Sequence, residues 1–122
     1  MRTNANVAGL VVPKTHIPAD NTAAVITLAA AVGVRHVLDK VFGGYDAYTN
    51  AEKALTIALT VDGTAVTLTV PVTCGASGQS DPAPFFDLDF NPPLQGDDNT
   101  AITITLPAGR ATVAGKLNAI TR

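Results

Sequence analysis

The segment from residue 55 to residue 70, LTIALTVDGTAVTLTV, restricts the fold more than any other part of the chain. Apolar residues alternate with Thr and Ala on both sides of Asp62-Gly63, a pair that tolerates the positive φ angles of a two-residue hairpin turn. Folding the chain there sets Leu59 opposite Val66 and puts every large apolar side chain of both strands on one face. Pattern and turn agree on one register, which predicts an antiparallel hairpin with one buried face.

Five further segments carry strand patterns of alternating or β-branched residues. They are residues 24–30, 34–42, 85–90, 100–106 and 111–121. Residues 34–42 also fit one face of a helix, but their β-branched side chains and the following Gly43-Gly44, which we interpret as a turn, favour a strand. The sequence therefore predicts an all-β fold: a single antiparallel β-sandwich, jelly-roll or Ig-like, of about seven to eight short strands.

The connections between these segments lead to more detailed expectations. Asn91-Pro92-Pro93 is expected to end the strand that precedes it, because proline has no backbone N–H to donate. Residues 107–110, PAGR, are expected to form a loop that joins the last two strands as a hairpin. Residues 45–54 and the cluster Asp97-Asp98-Asn99 are expected to be loops, the second one solvated.

The chain of 122 residues is short enough to form one domain. We assign residues 23–122 to the β-sandwich and residues 1–22 to an extended N-terminal arm. Pro13 and Pro18 disfavour a regular helix in the arm, and Leu10-Val11-Val12 gives it an apolar patch to bury. Two interpretations of the arm stay open: a frayed tail, or a segment that docks on a neighbouring subunit.

Charged residues make up 15% of the chain, against about 25% in an average globular domain. This low charge, and the Thr and Ala on the second face of the 55–70 hairpin, indicate that a partner covers part of the surface. The net charge is −2 and Lys and Arg form no run, which argues against a nucleic-acid partner. No apolar stretch reaches the roughly 18–20 residues of a membrane span, so no membrane partner is expected. Cys74 stands alone, which excludes an intramolecular disulfide and fits assembly in a reducing cytoplasm.

Candidate catalytic and metal-binding residues are few. Asp87-x-Asp89-x-Asn91 resembles the start of a calcium loop, but Pro92 stands where such a loop needs a flexible glycine. Alternating Asp residues in a strand are more typical of its solvent face. The side chains of His16, His36 and Cys74 belong to no local motif for nucleophilic catalysis. We therefore expect no enzymatic activity, no metal and no cofactor.

Aromatic residues offer one candidate binding surface, since aromatic faces stack on sugar rings. Phe86 is expected in the core by the alternation of its strand, and Phe85 lies beside it. Tyr45 and Tyr48 fall in the predicted loop and are the better candidates for a sugar-binding platform. Filling the core or fixing the loop is the favoured role for these rings.

Two stretches resemble small structural proteins of tailed bacteriophages. One is AVITLAAAVGVRHVLDKVFGGYDA, residues 24–47, where a Thr/Leu/Ala run leads into V-R-H-V-L-D and a Gly-Tyr element. The other is FNPPLQGDDNTAITITLPAGRATVAGKLN, residues 90–118, with its Pro-Pro-Leu turn and closing G-K-L-N. The first 22 residues and residues 74–84 lie outside the resemblance.

The resemblance implies a virion protein at the capsid surface, assembled in the host cytoplasm. Its implied role is capsid decoration, or cementing: binding the outside of the shell and bridging subunits of the major capsid protein, as a homo-oligomer (trimer or dimer). Two alternatives stay open: an adhesion or carbohydrate-binding module on a head fibre or tail, and a neck or tail connector that assembles into rings. Exposure and composition place the expected partner contacts in the arm and the loops, at Leu10, Val11, Val12, Pro13, His16, Tyr45, Tyr48 and Phe85.

Overall fold

The computed structural model describes residues 12–46, 53–72, 85–110 and 112–122. Within these ranges the chain forms eight β-strands and no helix, so none of the described segments is a helix that could cross a membrane. The strands are β1 Val12–His16, β2 Ala24–Leu28, β3 Val37–Tyr45, β4 Ala54–Val61, β5 Thr64–Pro71, β6 Phe85–Gln95, β7 Ile102–Leu106 and β8 Gly115–Thr121.

The eight strands form nested antiparallel pairs, with the two middle strands paired by a tight turn and the first strand paired with the last. β4 pairs with β5, β3 with β6, β2 with β7 and β1 with β8. Further pairing of β3 with β8 and of β4 with β7 produces two four-stranded sheets, β1-β8-β3-β6 and β2-β7-β4-β5. The predicted all-β sandwich is confirmed, and this strand order is that of a jelly roll, one of the two predicted architectures.

The predicted hairpin is present in the predicted register. Asp62 and Gly63 both have positive φ, 51° and 78°, as the tight turn requires, and Leu59 pairs with Val66. The turn also has a partner from the 97–99 cluster. The Asp97 carboxylate accepts hydrogen bonds from the backbone N–H of Asp62 at 2.9 Å and of Gly63 at 2.7 Å. The expectation of a merely solvated cluster is therefore wrong for Asp97, whose carboxylate satisfies backbone donors that the two-residue turn leaves free.

The core lies between the two sheets and consists of the inward-facing residues of alternating strands. In β7, for example, Ile102, Ile104 and Leu106 are fully buried, whereas the Thr residues between them point outward. The other large side chains with no exposed surface are Leu38, Val41, Leu55, Ile57, Val113 and Leu117. Burial of each contributes about 1.5–3 kcal/mol as an upper estimate, which makes this layer the main source of stability.

The proline pair does not end β6, contrary to expectation. The strand continues through Asn91-Pro92-Pro93 to Gln95 and pairs again with β3. The register changes on the way: Lys40 pairs with Asp89, but Leu38 pairs with Leu94. This irregularity allows the strand to pass the two prolines, which have no N–H to give to the ladder, and to resume its pairing beyond them.

The expected hairpin between the last two strands is also wrong. β7 lies in the sheet with β2 and β4, whereas β8 lies between β1 and β3 in the opposite sheet. The chain crosses from one sheet to the other between them, with a single bridge from Arg110 to Val113. Loop length alone favoured a local pairing, but β8 instead pairs with β1.

Residues assigned to the arm contribute a strand. Val12–His16 form β1, which pairs with β8 at the edge of its sheet. His16 connects the two layers there, because its Nδ1 accepts a hydrogen bond from the backbone N–H of Val25 at 2.9 Å. The remainder of the arm up to residue 11, including Leu10 and Val11, lies outside the described residues.

Candidate functional site

A groove of about 560 Å³ opens on the outer face of the β1-β8-β3-β6 sheet, at the end where β3 finishes and β6 and β8 begin. Three exposed or half-buried apolar side chains line it: Ile17, Phe42 and Phe85. Ile17 is 60% exposed and Phe85 is 70% exposed, which is unusual for such large apolar residues. We call this feature the aromatic groove.

The local sequence explains why a groove forms on a sheet surface. Gly44 faces outward between Phe85 on β6 and Lys116 on β8, which are its direct cross-strand neighbours. Because glycine has no side chain, the middle of this row is empty and the flanking side chains become walls. Phe42, two residues earlier on the same face of β3, continues the apolar surface.

Gly43, beside it, is buried and is required by the close pairing of β3 with β8. Its φ is +153°, and a Cβ at this position would overlap the carbonyl oxygen of Lys116. Only glycine therefore lets β8 approach β3 this closely. The interpretation of Gly43-Gly44 as a turn was wrong, because both residues lie within β3.

Polar groups stand at the rim of the groove. Asp46 is held by two main-chain contacts with Ala114: its N–H donates to the carbonyl at 3.0 Å, and its Oδ1 accepts from the N–H at 3.1 Å. Within the described residues its Oδ2 has no partner, and neither has the Lys116 ammonium. Asn118 is already engaged, since its Oδ1 accepts from the Thr15 hydroxyl at 2.8 Å. Among the described residues, the rim thus offers one acceptor and one donor group without partners.

Beyond Phe42, the same face carries a charged cluster. The Lys40 ammonium lies 3.2 Å from the Asp87 carboxylate and 3.9 Å from that of Asp89. It also lies 5.5 Å from the centre of the Phe42 ring, a cation–π distance that supports this ring from the side away from Gly44. The alternating Asp residues are thus partners of Lys40.

The described residues bring no catalytic set together. His16 Nδ1 accepts a hydrogen bond from the backbone N–H of Val25, and His36 Nε2 donates one to the carbonyl of Ala29 at 2.7 Å. Across the described ranges, no three His, Cys, Asp or Glu side chains are grouped as metal ligands. Cys74 lies outside these ranges.

The predicted contact residues have different locations. Val12, Pro13 and His16 lie on β1, and Phe85 is exposed in the aromatic groove. Tyr45 is not on an exposed loop as expected: it ends β3, is only 5% exposed, and its hydroxyl donates to the Pro107 carbonyl at 2.7 Å. It is buried because it falls on the inward-facing set of β3. Tyr48, like Leu10 and Val11, lies outside the described residues.

Ile17, Phe42 and Lys116 line the groove but were not among the residues predicted for a site. Gly44 was a signal for two of them, since Phe42 lies two residues before it on the outward set of β3 and Lys116 is its direct neighbour on β8. Ile17 follows β1, which does not adjoin β3. Using the signal of Gly44 required knowledge of which strands adjoin β3.

The second sheet has an outer face of a different kind. Its outward side chains are small and uncharged across all four strands: Val25, Thr27, Thr56, Ala58, Thr60, Ala65, Thr67, Thr69, Thr103 and Thr105. The strand registers align them in rows, such as Val25, Thr105, Thr56 and Thr69. We call this surface the threonine face.

Comparisons of the chain with models of known families, with curated proteins and with solved structures gave no match. Inference about its function therefore rests on its own residues and on the two surfaces described above.

Proposed function

We propose that the protein is a non-enzymatic structural protein of a tailed-bacteriophage particle, a capsid decoration or cement protein. It binds the outside of the shell and bridges subunits of the major capsid protein. The observation that carries the proposal is the threonine face, a four-stranded surface without one charged side chain. The resemblance of residues 24–47 and 90–118 to small phage structural proteins supplies the class of partner. The jelly roll is compatible with this role, since it occurs in viral capsid domains among many others.

The threonine face suits contact with a large, rigid partner. Burying it removes no charge from water, so it avoids the desolvation cost that Lys or Glu would bring. Thr and Val are stiff at χ1 and lose little side-chain entropy when they are immobilised. The Thr hydroxyls can still donate or accept hydrogen bonds across an interface.

The mechanism is mass action. A protein that binds the mature, expanded shell but not its unexpanded precursor stabilises the expanded form in proportion to its occupancy. To bridge the shell, each bound oligomer must contact at least two subunits of the major capsid protein. A dimer or trimer on the virion surface has two or three copies of the contact surface with which to do so. Residues 1–11 are the proposed reaching arm.

An add-back experiment tests the proposal. Shells lacking the protein are mixed with purified protein, and occupancy and resistance to heat are measured. Ala58→Lys puts an ammonium at the centre of the threonine face and should weaken shell binding by at least about tenfold, because that charge would be buried without a partner. Val32→Lys is the matched control, since Val32 is 88% exposed and outside the face. Failure of the wild-type protein to bind expanded shells would refute the proposal, and rings formed without shells would favour the connector alternative.

The arm has its own test. Deleting residues 1–18 would remove β1, so this variant cannot separate binding from folding. Deleting residues 1–11 leaves every described strand in place. We expect this variant to keep its melting temperature and to bind shells more weakly; unchanged binding would contradict a role for the arm.

A further inference from the structure

We propose that the aromatic groove is a binding site for a neutral pyranose sugar. The ring would stack on Phe85 and Phe42, with its hydroxyls at Asp46 and Lys116. This inference goes beyond the capsid role and does not depend on it, because the groove and the threonine face lie on opposite sheets.

The walls of the groove match one face of a sugar ring. A pyranose presents a patch of C–H groups that carry a slight positive charge, and the face of a phenyl ring is negative. Phe85 is 70% exposed, and nothing in the described fold covers it. Gly44 leaves the space between this ring and Lys116 open, so a flat ligand can reach the floor.

The rim matches the edge of a sugar ring. A hydroxyl group is both donor and acceptor, so it can donate to Asp46 Oδ2 and accept from the Lys116 ammonium, neither of which has a partner among the described residues. Among the described residues, one carboxylate and one ammonium leave the rim without a net charge, which favours a neutral ligand over an anionic one. Asp46 is fixed by Ala114, so its carboxylate is oriented before a ligand arrives.

An extended peptide fits the same groove poorly. β3 is an inner strand, and the residues from Phe42 to Gly44 pair with β6 on one side and β8 on the other. Their backbone N–H and C=O groups are therefore committed to the two ladders. A peptide lying on this floor would lose water from its own backbone without gaining partners, whereas a sugar keeps its hydroxyls at the rim.

The size and rigidity of the groove also fit a small ligand. Its volume of about 560 Å³ lies within the roughly 300–1,000 Å³ of small-molecule sites. Its floor belongs to a paired strand whose approach to β8 is fixed at Gly43. The site is thus formed without a ligand, which reduces the cost of binding.

A glycan array probed with the labelled full-length protein tests the proposal, followed by calorimetry with the neutral oligosaccharide that is best retained. We expect Phe85→Ala to raise the Kd at least about tenfold. Gly44→Val, which fills the floor, should abolish binding, and Val32→Ala should leave it unchanged. Titration of the ¹⁵N-labelled protein should shift the amide signals of Gly44 and Lys116.

Three outcomes would overturn the proposal: no glycan retained above background, equal retention by the wild type and Phe85→Ala, or retention confined to anionic glycans. The capsid role fails separately, in the add-back experiment. If Phe85→Ala abolished shell binding and no glycan were retained, the groove would be a contact for the shell and the sugar site would be refuted.

Discussion

The buried hydroxyl of Tyr45 couples a single proton to the stability of the fold. The hydroxyl donates to the Pro107 carbonyl at 2.7 Å, where the chain crosses from one sheet to the other. Tyr45→Phe removes this hydrogen bond and little else, because the two rings have the same shape. At neutral pH we expect the variant to lose about 0.5–1.5 kcal/mol of unfolding free energy.

At high pH the sign of the effect reverses. Burial raises the pKa of Tyr45 from 10.0 to about 12. Between these values the unfolded chain releases a proton that the folded chain keeps, so the stability of the wild type falls as the pH rises. The loss is about 1.4 kcal/mol at pH 11 and approaches about 2.7 kcal/mol well above pH 12. The phenylalanine variant has no such proton, so the two stability curves should cross between about pH 10 and pH 11.

Urea denaturation followed by circular dichroism, at several values from pH 7 to pH 11.5, measures both curves. Other titrating groups are common to both proteins and cancel in the difference. A Tyr48→Phe variant isolates the phenol of Tyr45 for spectrophotometric titration, which should show a pKa near 12 when folded and near 10 in urea. A stability difference that stays constant up to pH 11, or a folded Tyr45 phenol with an ordinary pKa, would refute this reasoning.

Three further substitutions test the fold. Gly43→Ala should prevent stable folding, since its Cβ would overlap the backbone of β8; a cooperative melt near the wild-type temperature would contradict this. Leu117→Ala should cost about 2–5 kcal/mol in urea denaturation, whereas Lys116→Ala should change stability by less than about 0.5 kcal/mol. Asp97→Asn should lower the melting temperature at pH 7, and Asp98→Asn should not. Hydrogen bonds from the hairpin turn lower the pKa of Asp97, so the advantage of the wild type over Asp97→Asn should persist above about pH 4 and disappear as the pH falls further.

The sequence predicts the β4–β5 hairpin in full because all of its determinants are local. Asp62-Gly63 sets the turn, and the alternation of apolar residues on both sides allows only one register. The same alternation identifies which residues of β2 and β7 face the core. It does not identify their partners, because a two-residue period tells which side a residue faces and not which strand lies beside it. The false hairpin between β7 and β8 follows from this gap.

The strand β1 shows a second limit of the sequence pattern. Its residues, VPKTH, are exposed apart from the half-buried His16, so they carry almost no hydrophobic signal. An edge strand of this kind is held by backbone pairing with β8 and by the hydrogen bond from Val25 to His16. Neither interaction leaves a trace in the pattern of apolar residues.

The pair Gly43-Gly44 shows why the sequence did not predict the groove. Two glycines in succession usually mark a turn, and here each serves a separate purpose within one strand. Gly43 lets β8 pair closely beside β3, and Gly44 opens the groove on the outer face. Their meaning depends on the strands on both sides of β3, which come from distant parts of the chain.

The jelly roll has two outer sheet faces whose side chains can bind partners without taking part in the core. Among the described residues, every large side chain without exposed surface belongs to the core cluster, so substitutions at Ala58 or Phe85 remove nothing from it. The faces also differ in chemistry: one is uncharged and rich in Thr, and the other combines aromatic rings with Lys40 and Lys116. Because they point away from each other, a particle-bound protein could bury the threonine face while its aromatic groove stays in solvent. Loss of shell binding by Ala58→Lys with glycan binding intact, and the reverse for Phe85→Ala, would demonstrate that division.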